Sequence, residues 1–247
     1  MISDRLLGQW LTAAPLFFSL FAYRKLHLQH HRDPLAADDP DITLTGGYPM
    51  AWRKFAFKLL RDISGVSYFK FIQYFVYLAR RPKPKSDRTE RHSATQGEAG
   101  VLETLQQQAA QHREKMPMAV VFGSMVAVNG VLCATVVLAG HGWLYLGLWL
   151  LPMMTVLQVL LRIRGIAEHA GYSPGRDQRY NARTVINPLQ TWWFAPHKVA
   201  YHIEHHVYPS VPFHRLPELH RCMNDRGELP QPNVFTGYGA VLRSVLR

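Results

Sequence analysis

The chain has 247 residues and a formal net charge of +11, with 28 Lys and Arg against 17 Asp and Glu. It has only two cysteines, Cys133 and Cys222, and no CxxC spacing, which argues against a disulfide framework or a cysteine-based zinc site. The basic excess admits nucleic acid, anionic lipid or an acidic substrate as partner. Mean hydropathy is near zero, but the average conceals segregation, because apolar residues and charges occupy separate runs.

The first apolar stretch, Leu6 to Tyr23, contains Pro15 and has basic flanks at both ends, Arg5 on one side and Arg24 and Lys25 on the other. A spanning helix usually shows charge asymmetry. This stretch therefore reads as a re-entrant or interfacial helix, or as the tail of a membrane helix pair cut off upstream. From Met50 to His92 there are eleven Lys or Arg against Asp62, Asp87 and Glu90. Within this region Tyr68 to Ala79, interrupted by Lys70, is too short to span and reads as an amphipathic helix on the membrane surface. Its basic surroundings suit an anionic inner leaflet. Arg80 to His92, with Pro82 and Pro84, reads as a loop, and Glu98 to Lys115 as a polar helix.

Two segments have the roughly 20 mainly apolar residues that a spanning helix needs. The first, about 117–140, is interrupted only by Ser124, Asn129 and Thr135. The second, about 143–161, carries Thr155 and Gln158 and a kink expected at Pro152. Only His141 and Gly142 separate them, so a tight helical hairpin is expected. A buried helix pair in a soluble core competes with this reading, but soluble helices of this length usually keep a polar face. Arg113 and Lys115 precede the hairpin and Arg162 and Arg164 follow it, which places both ends in the cytoplasm by the positive-inside rule. The expected fold is an all-α membrane protein, a transmembrane hairpin with a cytoplasmic helical cap, forming a single domain over 1–247.

The histidines carry the chemical signal. His27, His30 and His31 share one spacing with His202, His205 and His206. Positions i, i+3 and i+4 lie on one helix face, so each triplet aims three imidazoles in one direction. Neutral imidazole suits iron, zinc and copper. Six converging imidazoles exceed the four ligands of a structural zinc site and fit two metal ions. The zinc-protease pattern HExxH is absent, since Glu204 falls two places after His202. Both triplets lie beyond the same cytoplasmic ends of the hairpin. At about 1.5 Å per residue, a helix continuing past Leu161 carries His169 roughly 12 Å further, which makes it a seventh candidate ligand. His141 lies in the hairpin turn, and His92 and His112 lie in polar stretches. His197, His214 and His220 are near the second triplet, as candidates to hold a ligand rather than to be one.

These residues resemble the membrane fatty acid desaturase and hydroxylase superfamily, whose members typically carry three histidine boxes around a non-haem di-iron centre. The stretch from Tyr23 and Arg24 to His31 is similar to the second box, and Asp39, Pro40 and Asp41 to a motif that trails it in many bacterial members. Tyr201 to His206 is similar to the third box, and Glu168 with His169 to the additional histidine between the two. Only 26 residues precede His27, none of them histidine, so the first box is missing and the chain reads as N-terminally truncated. Ala200 stands where many relatives carry asparagine.

The resemblance implies an O2-dependent desaturase that introduces a carbon–carbon double bond into an acyl chain, held on an acyl lipid or a fatty acyl thioester. It implies two non-haem iron ions held by His27, His30, His31, His169, His202, His205 and His206. Asp41 and Glu168 are expected to orient imidazoles by accepting their second N–H, and Arg24 to support its box. Electrons are expected from an external ferredoxin- or cytochrome-type donor, since no flavin or nicotinamide fingerprint occurs. The expected setting is a bacterial inner membrane with the boxes cytoplasmic. A hydroxylase or carotenoid ketolase of the same superfamily is an alternative. So is an inactive remnant that binds lipid without turnover. A nucleic-acid binder is disfavoured, because no recognition motif accompanies the charge.

Overall fold

The computed structural model describes residues 2–32, 34–36, 39–70, 72–73, 118–173 and 178–247. The loop expected over Arg80–His92, the polar helix over Glu98–Lys115 and most of the surface helix over Tyr68–Ala79 lie outside these residues. Only 68–70 and 72–73 of that last region are described, and they are helical.

The elements are helices α1 (Ile2–Gly8), α2 (Leu20–Arg32), α3 (Ile42–Thr45), α4 (Trp52–Ile63), α5 (Met118–Leu138), α6 (Leu151–Met154), α7 (Val156–His169), strand β1 (Thr184–Val185), α8 (Pro188–Phe194), α9 (His202–Val207), α10 (Leu216–Asp225), strand β2 (Val234–Phe235) and α11 (Tyr238–Val245), with short π- and 3-10 turns between some of them. The fold is therefore mostly helical. It is not purely so, because β1 and β2 pair in parallel, Thr184 with Val234 and Val185 with Phe235. Among the described residues, two helices are long and apolar enough to cross a membrane, Met118–Leu138 and Tyr145–His169. The second is irregular around Pro152. Tyr145–Leu150 is a π-turn, and the backbone breaks at Thr155 before α7, as expected where proline removes a helix hydrogen bond and crowds the preceding turn.

The chain forms two compact units, residues 1–28 with 71–150, and residues 29–70 with 151–247. In the first, α1 runs through a π-turn (Gln9–Ala13) and a 3-10 turn (Ala14–Leu16) into Phe17, whose left-handed backbone (φ 53°) ends the helix. The helical stretches Arg5–Leu16 and Leu20–Arg32 meet at 91°. The stretch Leu6–Tyr23, read as a re-entrant or interfacial helix or the tail of a helix pair, is a broken helix turned at Phe17 just after Pro15. A broken helix in an apolar setting needs substitutes for its lost backbone partners. Polar side chains among the described residues of this unit supply them. Gln9 donates to the carbonyl of Phe18 (3.2 Å) and to Ser124 (3.1 Å), and accepts from the backbone N–H of Leu20 (3.0 Å). Asn129 donates to the carbonyl of Ala14 (2.9 Å) and accepts from the Tyr145 hydroxyl (2.9 Å), while Trp149 donates to the carbonyl of Pro15 (3.1 Å). The mild polar interruptions of the first apolar span are therefore satisfied inside the unit.

In the second unit α3, α4, α8 and α11 pack around α7. Gly165 lets α3 approach closely, since a Cβ there would lie 3.1 Å from Leu44 Cβ. A buried ion pair fixes α4 on α7. Asp62 accepts from Arg162 at both carboxylate oxygens, from Nε and from Nη2 (3.0 Å), and also from Ser67. Phe55, Ile166, Ala170, Val245 and Leu246 form the apolar core beside it. A second cluster, with Ala182, Ile203, Val207 and Met223, seats α9 against α10.

Candidate metal centre

Three short pieces of the second unit meet at one point. The C-terminal end of α2 brings His30 and His31, the last turn of α7 brings His169, and α9 brings His202, His205 and His206. His30, His169, His202 and His206 are all buried, and one nitrogen of each lies within 4.8 Å of the others. His30 Nε2 is 3.0 Å from His169 Nε2, which is 2.8 Å from His202 Nε2, which is 3.2 Å from His206 Nε2. Beside this quartet, His31 Nε2 lies 3.0 Å from His205 Nε2. The rings of His31 and His206 stack at 4.3 Å, joining pair to quartet. His27 belongs to the first unit. It stands one turn before His31 on α2, with its ring stacked on Tyr23 at 5.4 Å.

The outer nitrogens decide what the inner ones can do. His30 Nδ1 lies 2.9 Å from Asp39 Oδ1, and His169 Nδ1 lies 2.8 Å from the carbonyl of Asn181. A carboxylate and a carbonyl can only accept, so both Nδ1 atoms carry the proton. In the neutral rings both Nε2 atoms then present lone pairs, and these face each other across 3.0 Å. Such an arrangement needs a cation between the two, either a metal ion or an extra proton. This is the arrangement by which a second N–H bond fixes the tautomer of a metal-binding histidine.

Electrostatics separate the six rings. Burial and the neighbouring imidazoles hold His202 and His206 well below the ordinary histidine range, and burial with the Arg164 charge lowers His205 to about 4. These rings are neutral at pH 7 and keep their lone pairs. His30 behaves differently. Burial pushes it down, but the hydrogen bond to Asp39 and the charges of Asp41 and Asp39 outweigh that and raise it. In the absence of metal His30 is the natural site of the extra proton.

The carboxylates take positions that sequence spacing does not reveal. Asp39, 1% exposed, is the one hydrogen-bonded to His30, and it also accepts from the backbone N–H groups of Leu35 (2.7 Å) and Asp41 (2.9 Å). Asp41 lies 3.7 Å from His30 Nδ1. Glu168 is bonded to Arg164 (2.7 Å), and its Oε1 lies 3.8 Å from the buried Nδ1 of His202. Glu204, fully buried within the third box, turns away from the cluster and accepts from Thr184 (2.6 Å) on β1 and from His220 on α10. His197 and His214 are exposed. Arg183 closes the end of α7 by donating to the carbonyls of Ile166 (3.3 Å) and Ala170 (2.5 Å), which steadies the turn carrying His169.

The donor set is all imidazole, with both tautomers fixed where a partner is present, and it fits a metal such as iron. The model of the family described as fatty acid desaturase matches residues 2–236. The chain belongs to the fatty acid desaturase family. Family and apolar helices together mark a membrane protein of desaturase or hydroxylase type, an oxidoreductase. No curated protein and no solved structure matches it.

Proposed function

We propose that this protein is an O2-dependent acyl desaturase. It converts two adjacent methylenes of an acyl lipid or acyl thioester into a double bond. One O2, two electrons from an external ferredoxin- or cytochrome-type carrier and two protons are consumed, and two waters are released. The observation that carries this reading is the pair of opposed lone pairs on His30 and His169 inside a cluster of buried, neutral imidazoles.

Two iron ions suit this donor set, one held by His30, His169, His202 and His206 and the other by His31 and His205, with His27 of the same sequence motif proposed as a further ligand. When bound, the irons supply the reduction of O2 and the oxidising power that an unactivated C–H bond requires. The chain's own residues hold and orient. Asp39 and the Asn181 carbonyl keep the Nδ1 protons in place and leave Nε2 for the metal. Glu168 stands beside His202, and Asp41 beside His30, as further orienting carboxylates. Burial excludes water and keeps His202, His205 and His206 neutral. The basic flanks of the hairpin support an orientation with the cluster on the cytoplasmic side, in the proposed setting of a bacterial inner membrane.

The test is product analysis. The full chain in membranes, given iron, O2 and a reduced carrier, should yield acyl chains two mass units lighter with a new double bond, and His169→Ala should not. Acyl chains sixteen units heavier would identify a hydroxylase instead. Unchanged acyl chains from iron-loaded, reduced protein would count against the reading.

A further inference from the structure

Helix α4 has three strips along its length. Phe55, Leu59 and Asp62 face inward, the first two into the core and Asp62 onto Arg162. At about 100° per residue, Trp52, Ala56, Leu60 and Ile63 fall on the adjoining strip, and exposed Arg53 stands between Leu60 and Phe57, which borders the next strip. Trp52, Phe57, Leu60 and Ile63 are 49%, 69%, 63% and 46% exposed. The remaining strip holds Lys54, Lys58 and Arg61. Exposed Val66 and Phe69 continue the apolar surface beyond the helix. An outward row of a tryptophan, a phenylalanine and two branched aliphatics is more than scattered surface hydrophobicity. The ion pair between Asp62 and Arg162 fixes the roll of α4, so this row cannot turn inward.

The neighbourhood is short of negative charge. Asp62 is engaged by Arg162 and Ser67. Lys58 sits 4.7 Å above the Tyr48 ring and donates to the carbonyl of Gly46 (3.3 Å). Burial, then the charges of Arg162 and Arg61, lower its ammonium to about 8. The position of α4 also matters. Phe55 packs with Ile166, and Asp62 binds Arg162, both toward the C-terminal end of the candidate span Tyr145–His169. The end of a span is where the lipid headgroups lie.

We propose that α4 is a membrane-surface anchor for anionic phospholipid. Trp52, Phe57, Leu60 and Ile63 enter the boundary between headgroups and acyl chains, while Lys54, Lys58 and Arg61 take the lipid phosphates. A helix with an apolar strip beside a Lys/Arg strip lies in the interface plane in this way, and each cation near an anionic surface adds to the attraction.

The test uses the full chain reconstituted in bilayers of phosphatidylcholine alone or with phosphatidylglycerol, with spin labels placed singly at positions 54, 57 and 60 after Cys133→Ser and Cys222→Ser. With phosphatidylglycerol present, labels at 57 and 60 should collide with dissolved oxygen and be shielded from a water-soluble nickel chelate roughly five- to tenfold relative to position 54. In phosphatidylcholine alone, or when Lys54→Gln, Lys58→Gln and Arg61→Gln are added to the chains labelled at 57 and 60, their shielding should weaken. Three results would each overturn the proposal. Equal chelate access at 54, 57 and 60 would mean a solvent-facing helix. Shielding of 57 and 60 from oxygen as well as chelate would mean that protein covers the face. Shielding that is indifferent to phosphatidylglycerol and to the triple substitution would mean that anionic headgroups are not recognised.

Discussion

His30 and His169, 139 positions apart in sequence, point their Nε2 atoms at each other across 3.0 Å, because Asp39 and the Asn181 carbonyl hold the Nδ1 protons on the far side of each ring. Two lone pairs at that distance repel unless a cation lies between them. The first prediction follows directly. His169→Ala should remove iron from the quartet and lower desaturation by at least about 100-fold, more than the loss expected for an orienting residue. Iron analysis alongside lipid product analysis checks both parts.

Asp39 tests the orienting layer. It accepts from His30 and from two backbone N–H groups, whereas Asp41 stands 3.7 Å from the same ring. Asp39→Asn should weaken metal affinity roughly 10- to 100-fold, and Asp41→Asn should weaken it less. Competition with a chelator of known affinity measures the order, and a larger effect at Asp41 would reverse the assignment of partners.

Glu204 tests how the third box is aimed. Its carboxylate ties α9 to Thr184 and His220. Glu204→Ala would leave a buried hydroxyl without its acceptor, at a cost of about 1–3 kcal/mol. A fall in melting temperature of several degrees is expected, with Thr184→Val adding little once Glu204 is gone. A fully additive double variant would show that the two do not act as a pair.

The ion pair between Asp62 and Arg162 gives a larger stability effect. Arg162→Met strands a buried carboxylate and should cost about 3–5 kcal/mol, while the paired change with Asp62→Leu should recover much of it. Thermal unfolding of the two variants in one detergent makes the comparison.

The pH dependence of the metal-free protein has a definite sign. His202, His205 and His206 have folded pKa values below the ordinary 6.5, with His205 near 4. Between those values the unfolded chain binds protons that the folded chain does not. Stability is therefore full above about 6.5 and falls as pH drops toward 4, by up to about 1.4 kcal/mol per pH unit for each such histidine. His30, raised by its carboxylates, acts in the opposite sense and loses its contribution as pH rises through its folded value. Melting temperatures of chelator-treated protein at pH 7.5 and 5.5 should differ, the acid sample melting first. No difference would mean that the rings are already protonated in the fold.

The clustering of the histidines was the most legible part of this chain, for a physical reason. A helix repeats every 3.6 residues, so HxxHH puts three imidazoles on one face without help from distant structure. The two apolar spans were legible on the same kind of local ground. Asp39 was not, because a turn after α2, and not a helical repeat, returns it to His30. The carbonyl of Asn181 has no side-chain signature at all. The broken helix at Phe17 was hinted at only by Pro15, since the bend depends on Gln9, Ser124 and Asn129 satisfying the freed backbone. The apolar strip of α4 was hidden by its own lysines and arginines, and emerges only once Asp62 and Arg162 fix which side faces inward.

The most direct test of the histidine centre is the iron content of the purified full chain in detergent, before and after anaerobic loading with ferrous iron. The account predicts close to two irons per chain, reduced by at least half in His169→Ala. A folded chain that takes up no iron, or takes up as much with His169 removed, would contradict it.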